Sequence, residues 1–136
     1  MKRLLLPLLF LIFYSCKTYY ISPASFKEQI TGTVPFHLKN EGTSYLATKM
    51  EAIQCRDKNG QDIMLQNTPS VEARFIEKNG KKRTFYFNTV AFQNDTIFGG
   101  KSMLIPGLLS SIPFDSLSKI EIQKGGKQFR NGGTEY

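Results

Sequence analysis

The sequence predicts a mainly β protein that folds as a small antiparallel barrel or as a strongly bent sheet, with one short N-terminal helix. Two Asn-Gly pairs, at 59–60 and 79–80, are strong hairpin signals because both residues tolerate the positive φ of a type I′ turn. The segments that these pairs separate are 45–56 with 61–66 and 71–78 with 81–92. We therefore expect two β-hairpins in the centre of the chain.

Apolar and polar residues alternate along the predicted strands, which is typical of a sheet with one buried face. The apolar residues at alternating positions are Val71, Ala73, Phe75, Phe85, Phe87, Ile120 and Ile122. A shorter strand is expected at 96–98, after the turn at Asn94-Asp95. Residues 113–118 have the composition of one helical or 3₁₀ turn that leads into the last strand.

The helix is predicted over residues 24–30. Ser25 and Glu28 have the spacing of a capping box, in which both side chains satisfy free backbone amides at a helix start. Phe26 and Ile30 lie four residues apart, so we expect both side chains on the buried face of this helix.

The layout of residues 71–124 resembles that of SH3-like and Sm-like barrels, in which short strands and one 3₁₀ turn precede the final strand. This resemblance is architectural and carries no functional residues across. Within the stretch, residues 99–111 form a loop with several apolar side chains. Such a loop is either packed under the strands or exposed as a contact patch, and burial is the favoured alternative.

The first residues of the chain have the three parts of an export signal. Lys2 and Arg3 precede an apolar run from Leu4 to Tyr14, and the small Ser15 stands directly before Cys16. The apolar run is well short of the ~20 residues that a helix needs to cross a bilayer. This part of the chain is therefore interpreted as a removable leader.

Phe13-Tyr14-Ser15-Cys16 resembles the lipobox of bacterial lipoproteins, in the relaxed form of small exported Bacteroidetes lipoproteins. The resemblance implies cleavage before Cys16, acyl chains such as diacylglycerol and palmitate on that residue, and stable attachment to a lipid bilayer. The alternatives are an ordinary signal peptide with an incidental cysteine, and a cytoplasmic or membrane-spanning chain. Lipoproteins that Bacteroidetes send to the cell surface tend to carry acidic residues just after the cysteine, and residues 17–20 contain none. The resemblance therefore implies an outer-membrane anchor facing the periplasm rather than the cell surface.

These signals divide the chain of 136 residues into four parts. The predicted parts are a lipoprotein signal peptide at 1–15, a lipidated tether at 16–24, a single small β-domain at 25–124 and a flexible tail at 125–136.

The chain is basic, with a net charge of +7, which the loss of Lys2 and Arg3 lowers by two. A mild positive balance favours anionic lipid or envelope polymers, whereas nucleic-acid binders concentrate their charge more strongly, so nucleic acid is not an expected partner. The cations that cluster around the second hairpin are Lys78, Lys81, Lys82 and Arg83. They form either a solvated edge that resists aggregation or a contact with an anionic surface close to the anchor.

Residues suited to catalysis or metal binding are sparse. His37 is the single histidine, which excludes a metal site of several imidazoles. Cys55, beside Arg56, is a candidate thiol nucleophile, but a buried strand cysteine is the favoured interpretation. The carboxylates are scattered along the chain and lack the run of ligands in a calcium loop. We therefore assign no catalytic residue, no metal site and no cofactor.

Two triplets, Asp95-Thr96-Ile97 and Asp115-Ser116-Leu117, resemble the acceptor motif for O-glycosylation in exported Bacteroidetes proteins. The resemblance implies glycans on Thr96 and Ser116. Turn chemistry is the alternative, because Asp caps turns and a hydroxyl residue followed by an aliphatic one opens strands.

Together these features predict a non-enzymatic envelope lipoprotein whose domain binds or scaffolds an envelope protein or polymer. Two alternatives remain open: a surface-exposed ligand-capture lipoprotein, and an envelope hydrolase or thiol enzyme that uses Cys55 or a carboxylate pair.

Overall fold

The computed structural model describes residues 17–38, 42–100 and 109–124. Its strands are β1 (Tyr19–Ile21), β2 (Phe36–Leu38), β3 (Gly42–Leu46), β4 (Ala52–Arg56), β5 (Asp62–Gln66), β6 (Glu72–Glu77), β7 (Lys82–Tyr86), β8 (Ala91–Gln93), β9 (Thr96–Gly100), β10 (Leu109–Pro113) and β11 (Leu117–Gln123). One α-helix, α1 (Pro23–Thr31), connects β1 to β2. The prediction of a mainly β protein with a short N-terminal helix is confirmed.

The strands form two antiparallel sheets. The six-stranded sheet has the order β5-β4-β1-β11-β6-β7, and the five-stranded sheet has the order β10-β9-β8-β3-β2. Across the described ranges the sheets do not close into a barrel, so the bent sheet is the correct member of the predicted pair. Both predicted hairpins are present, as β4 with β5 and β6 with β7.

Three 3₁₀ turns carry the chain from one sheet to the other, at Ala47–Lys49, Phe87–Thr89 and Phe114–Ser116. We call them the corners. In each corner, the backbone amide of the residue that follows the turn donates a hydrogen bond to the carbonyl of the first residue of the turn. The predicted turn at 113–118 is confirmed. The prediction of one uninterrupted strand over each of the segments 45–56 and 81–92 is wrong, because a corner divides each of them. Buried side chains at Ala47 and Phe87 redirect the chain into the other sheet.

The core lies between the sheets and the helix. Phe26 and Ile30 of α1 are fully buried, as the sequence predicts. The Phe26 ring meets the rings of Phe75 and Phe87 edge to face, with centroids 5.8 and 6.3 Å apart. One aromatic cluster therefore joins the helix, the six-stranded sheet and a corner.

The start of α1 differs from the expected capping box. Ser22 is the N-cap, and its hydroxyl accepts a hydrogen bond from the amide of Ser25 at 3.1 Å. Pro23 follows as the first helical residue, where its missing N–H costs nothing because that amide has no partner inside a helix. Ser25 therefore lies inside the helix and does not cap it.

The hairpin turns at 59–60 and 79–80 are not of type I′. Gly60 and Gly80 have φ of 82° and 89°, but the preceding asparagines do not have positive φ. The amides of these glycines donate to the carbonyls of Asp57 and Glu77 respectively, which makes type I turns followed by a left-handed glycine. Positive φ at both central residues occurs at Asn94 and Asp95, between β8 and β9.

The predicted tether at 16–24 is wrong for Tyr19–Ile21. These residues form β1, which pairs with β11 on one side and with β4 on the other. Tyr19 and Ile21 are buried in the core. The folded domain therefore begins before residue 25, and its first strand lies inside the six-stranded sheet.

Candidate functional site

A row of side chains crosses the outer face of the six-stranded sheet. Residues directly opposite each other on antiparallel strands project to the same face. Successive pairings join Asp62, Arg56, Tyr20, Glu121, Arg74 and Thr84, one residue from each strand. We call this set the Tyr20 row. Because its register comes from pairing between distant segments, the sequence analysis did not find it.

Opposite charges are paired along the Tyr20 row. Arg56 Nε lies 3.2 Å from Asp62 Oδ1, and Arg74 Nη1 lies 3.3 Å from Glu121 Oε1. Lys119 lies two residues before Glu121 on β11, and its Nζ approaches Glu121 Oε2 at 3.5 Å and the Tyr20 ring centroid at 5.1 Å. Tyr20 therefore lies between two charge-paired groups and contacts a cation, which is an arrangement suited to polar or charged partners.

The surface is recessed on both sides of Tyr20 because β1 has three residues and its neighbours are longer. One groove of about 330 Å³ is lined by Lys17, Tyr20, Lys58 and Ile63, among others. A second, of about 320 Å³, is lined by polar groups that include Ser22, Glu28 and Arg56.

A side chain of the helix forms hydrogen bonds with the backbone of β4 where β1 ends. The side-chain amide of Gln29 accepts from the backbone amide of Gln54 and donates to its carbonyl, both at 2.9 Å. These two bonds replace the strand partner that β4 lacks beyond Ile21.

Cys55 lies on β4 with its side chain in the core, as predicted, and it is 3% exposed. Its Sγ lies 3.6 Å from the carbonyl of Ile63. Burial raises the pKa of the Cys55 thiol from 9.0 to about 11. A thiol nucleophile needs both the thiolate and access to substrate, and this position opposes both requirements at neutral pH.

His37 lies on β2, at the edge of the five-stranded sheet, and is exposed. Its Nδ1 lies 3.3 Å from the hydroxyl of Thr43. Within ranges 17–38, 42–100 and 109–124, no group of three or more His, Cys, Asp or Glu side chains is placed to hold a metal ion.

The basic cluster of the second hairpin lies near the start of β11, where Leu117 pairs with Glu77. Lys78, Lys81 and Lys82 are exposed. Arg83 differs from them, because its Nη1 donates to the carbonyl of Ser111 at 2.9 Å and its Nε lies 3.6 Å from the buried Glu77 carboxylate. Arg83 therefore joins the two sheets, and three lysines form the exposed part of the cluster.

The structure brings the two predicted glycosylation sites close together. Thr96 pairs with Pro113, and the amide of Phe114 donates to the carbonyl of Asp95 at 2.9 Å. The Ser116 hydroxyl is half-buried, 2.7 Å from the carbonyl of Pro113 and 3.2 Å from Glu77 Oε1. Thr96 Oγ1 donates to the carbonyl of Asn94 at 3.1 Å. Both hydroxyls thus have local turn partners, and glycosylation stays a prediction.

Several predicted features lie outside the described residues. These are the leader at 1–15, the lipidation site Cys16, residues 101–108 of the predicted 99–111 loop and the tail at 125–136. The prediction of a loop is wrong at its two ends, because residues 99–100 and 109–111 pair as parts of β9 and β10. Among the helices of the described part, none has the length and hydropathy to cross a bilayer.

The chain was compared with models of protein families, with curated proteins and with solved structures. None of the three comparisons finds a match. The resemblances to lipoproteins and to SH3-like barrels therefore remain sequence-based predictions.

Proposed function

We propose that this chain is a lipid-anchored, non-enzymatic binding or scaffolding module of a bacterial cell envelope. Acyl groups on Cys16 would hold it at the outer membrane, with the domain facing the periplasm. The observation that carries the proposal is the leader, in which a basic start, a short apolar run and Ser15 precede Cys16. Strand β1 begins at Tyr19, so the folded domain would follow the proposed cleavage position almost directly.

The outer face of the six-stranded sheet supports the binding part of the proposal. The Tyr20 row offers an aromatic ring, both signs of charge and, on the side away from Lys17, a polar groove. Rigid strands hold such side chains in place before a partner arrives, which lowers the entropic cost of binding. We infer that the partner is another envelope protein or polymer that contacts this face.

Replacing Cys16 by Ser is expected to abolish acylation and, with it, removal of the leader. The thioether to diacylglycerol needs the sulfur, so metabolic labelling with an alkyne-palmitate should give no signal, and the chain should keep the mass of the unprocessed precursor. Cys55→Ser is the matched control, since it removes the other cysteine of the chain and should leave labelling and processing unchanged. Continued processing of the Cys16→Ser chain would refute the anchor.

Photocrosslinking in cells tests the binding face. With p-benzoyl-phenylalanine in place of Tyr20, we expect a discrete crosslinked product that mass spectrometry identifies as one envelope component. The same group in place of Lys81, at the exposed tip of the second hairpin, should not give that product. A product from position 81 alone would assign binding to the basic hairpin and contradict the role of the Tyr20 row.

Protease treatment of intact cells then reports whether the domain faces the periplasm or the surface.

A further inference from the structure

The folded sheet begins almost directly after the proposed lipid anchor. The hydroxyl of Thr18 accepts a hydrogen bond from the Gln123 side chain at 3.1 Å, and Tyr19 pairs with Ile122. Lys17 is therefore the one residue between Cys16 and the first residue tied to the sheet. The Cα atoms of Cys16 and Tyr19 are at most about 11 Å apart, because consecutive Cα atoms are separated by 3.8 Å. An acyl anchor at Cys16 would hold this end of the sheet next to the lipid.

Three exposed lysines lie at this same end of the sheet. Strand β4 runs antiparallel to β1 with Arg56 opposite Tyr20, which brings the turn that contains Lys58 beside Lys17. Strand β11 ends at Gln123, next to Thr18, so Lys124 follows at the same edge.

The acidic residues at this end are less available than the lysines. Asp57 is half-buried, and its Oδ1 accepts from the backbone amides of Asn59 and Gln61 at 2.8 and 2.9 Å. Glu72, opposite Gln123, is also half-buried. Asp62, directly after the turn that contains Lys58, is exposed, but its Oδ1 is paired with Arg56 Nε at 3.2 Å. The cations at this end, which are the three lysines and Arg56, therefore outnumber the carboxylates of Asp57, Asp62 and Glu72.

We propose that this end of the six-stranded sheet rests on the bilayer, with Lys17, Lys58 and Lys124 against the phosphates of anionic lipid head groups. The inference rests on the proposed anchor at Cys16 and adds the membrane-contacting surface and the orientation of the domain. Cations close to an anionic leaflet are attracted within a Debye length of the surface. The short connection keeps these three within that distance.

The same orientation directs the basic hairpin away from the bilayer. Strand β11 extends from Gln123, beside Thr18, to Leu117, which pairs with Glu77 at the base of that hairpin. At about 3.3 Å per residue, this strand separates the two groups of lysines by roughly 20 Å. Lys78, Lys81 and Lys82 would thus face the periplasm. Of the two sequence-based interpretations of this hairpin, a solvated edge and a contact with an anionic surface, this orientation favours the solvated edge.

The test compares lysine acetylation in two settings of the full-length, lipidated protein. One sample is bound to vesicles of phosphatidylglycerol and phosphatidylethanolamine, and the other is held in dodecyl maltoside micelles, whose head groups are uncharged. After brief treatment with an amine-reactive acetate ester, mass spectrometry gives a rate for each site. We expect Lys58 and Lys124 to react about fivefold more slowly on vesicles, and Lys78, Lys81 and Lys82 to react equally in both samples.

A charge-reversal pair adds a second measurement. In Lys58→Glu, the vesicle-dependent slowing at Lys124 should decrease, whereas Lys81→Glu should leave it unchanged. Equal rates at both ends of the sheet, or slowing at the hairpin alone, would overturn the inference. Flotation of the protein with vesicles separates this failure from failure of the anchor. A chain that floats but shows no protected lysines refutes the orientation alone, and a chain that does not float refutes the proposed anchor.

Discussion

Gly99→Ala is expected to destabilise the domain by about 3 kcal/mol, because overpacking a core typically costs 1–3 kcal/mol. A Cβ at position 99 would overlap Cδ2 of Phe85 and lie 2.6 and 2.8 Å from its Cγ and Cε2. The Phe85 ring is 1% exposed, and its centroid lies 5.5 Å from that of the Phe75 ring, so it cannot move without disturbing the core. A loss of this size is a large share of the roughly 5–15 kcal/mol that stabilises a typical domain. Urea unfolding followed by circular dichroism measures it.

Gly32→Ala is the matched control for this substitution. Gly32 has φ of −79°, and an added Cβ would lie 3.4 and 3.5 Å from the carbonyls of Glu28 and Gln29. We expect its free energy of unfolding to stay within about 0.5 kcal/mol of the unsubstituted protein. If Gly99→Ala does not fold, Gly99→Ala with Phe85→Leu should recover a cooperative transition, because the two sites share one space. Equal midpoints for both single variants would contradict the close packing of β9 against Phe85.

Phe26→Ala is expected to lower the free energy of unfolding by about 3–5 kcal/mol, the usual cost of removing a buried aromatic side chain. Phe26 is fully buried, and its ring touches those of Phe75 and Phe87. The substitution therefore opens a cavity where α1, β6 and a corner meet. Chemical denaturation of the full-length protein checks the value.

Phe36→Ala serves as the control for Phe26→Ala. Phe36 is on the edge strand β2 and is 52% exposed, so its truncation should change stability by less than about 0.5 kcal/mol. Phe26→Leu, which keeps most of the apolar volume, should show an intermediate loss and remain measurable if the alanine variant fails to fold. Similar losses at positions 26 and 36 would be inconsistent with a core centred on Phe26.

Sequence reasoning located the elements whose signals are local. The two Asn-Gly hairpins, the helix around Phe26 and Ile30, and the turn before the last strand each depend on residues a few positions apart. The type of the hairpin turns could not be predicted from the Asn-Gly pairs. A glycine with positive φ suits a type I turn followed by a left-handed residue as well as a type I′ turn. The corners at Ala47 and Phe87 were missed because each interrupts an otherwise continuous strand pattern.

The candidate site was largely hidden from the sequence. The burial of Cys55 could be predicted from its position in an alternating strand, and the structure confirms it. The Tyr20 row depends on the pairing of Tyr20 with Glu121 from the far end of the domain, and no local pattern encodes that register. Strand β1 itself was missed because three residues after an apolar leader are too few to show periodicity. Arg83 looked like a free surface cation because its partners, Glu77 and the carbonyl of Ser111, were known only from the structure.

The position of β11 between β1 and β6 also sets when the larger sheet can assemble. Until β11 leaves the ribosome, the hairpin of β4 and β5 has no strand to connect it with the hairpin of β6 and β7. The main sheet therefore stays in two pieces while the chain is being made, although each hairpin has both of its strands. Only the last strand of the domain joins the two hairpins into one sheet.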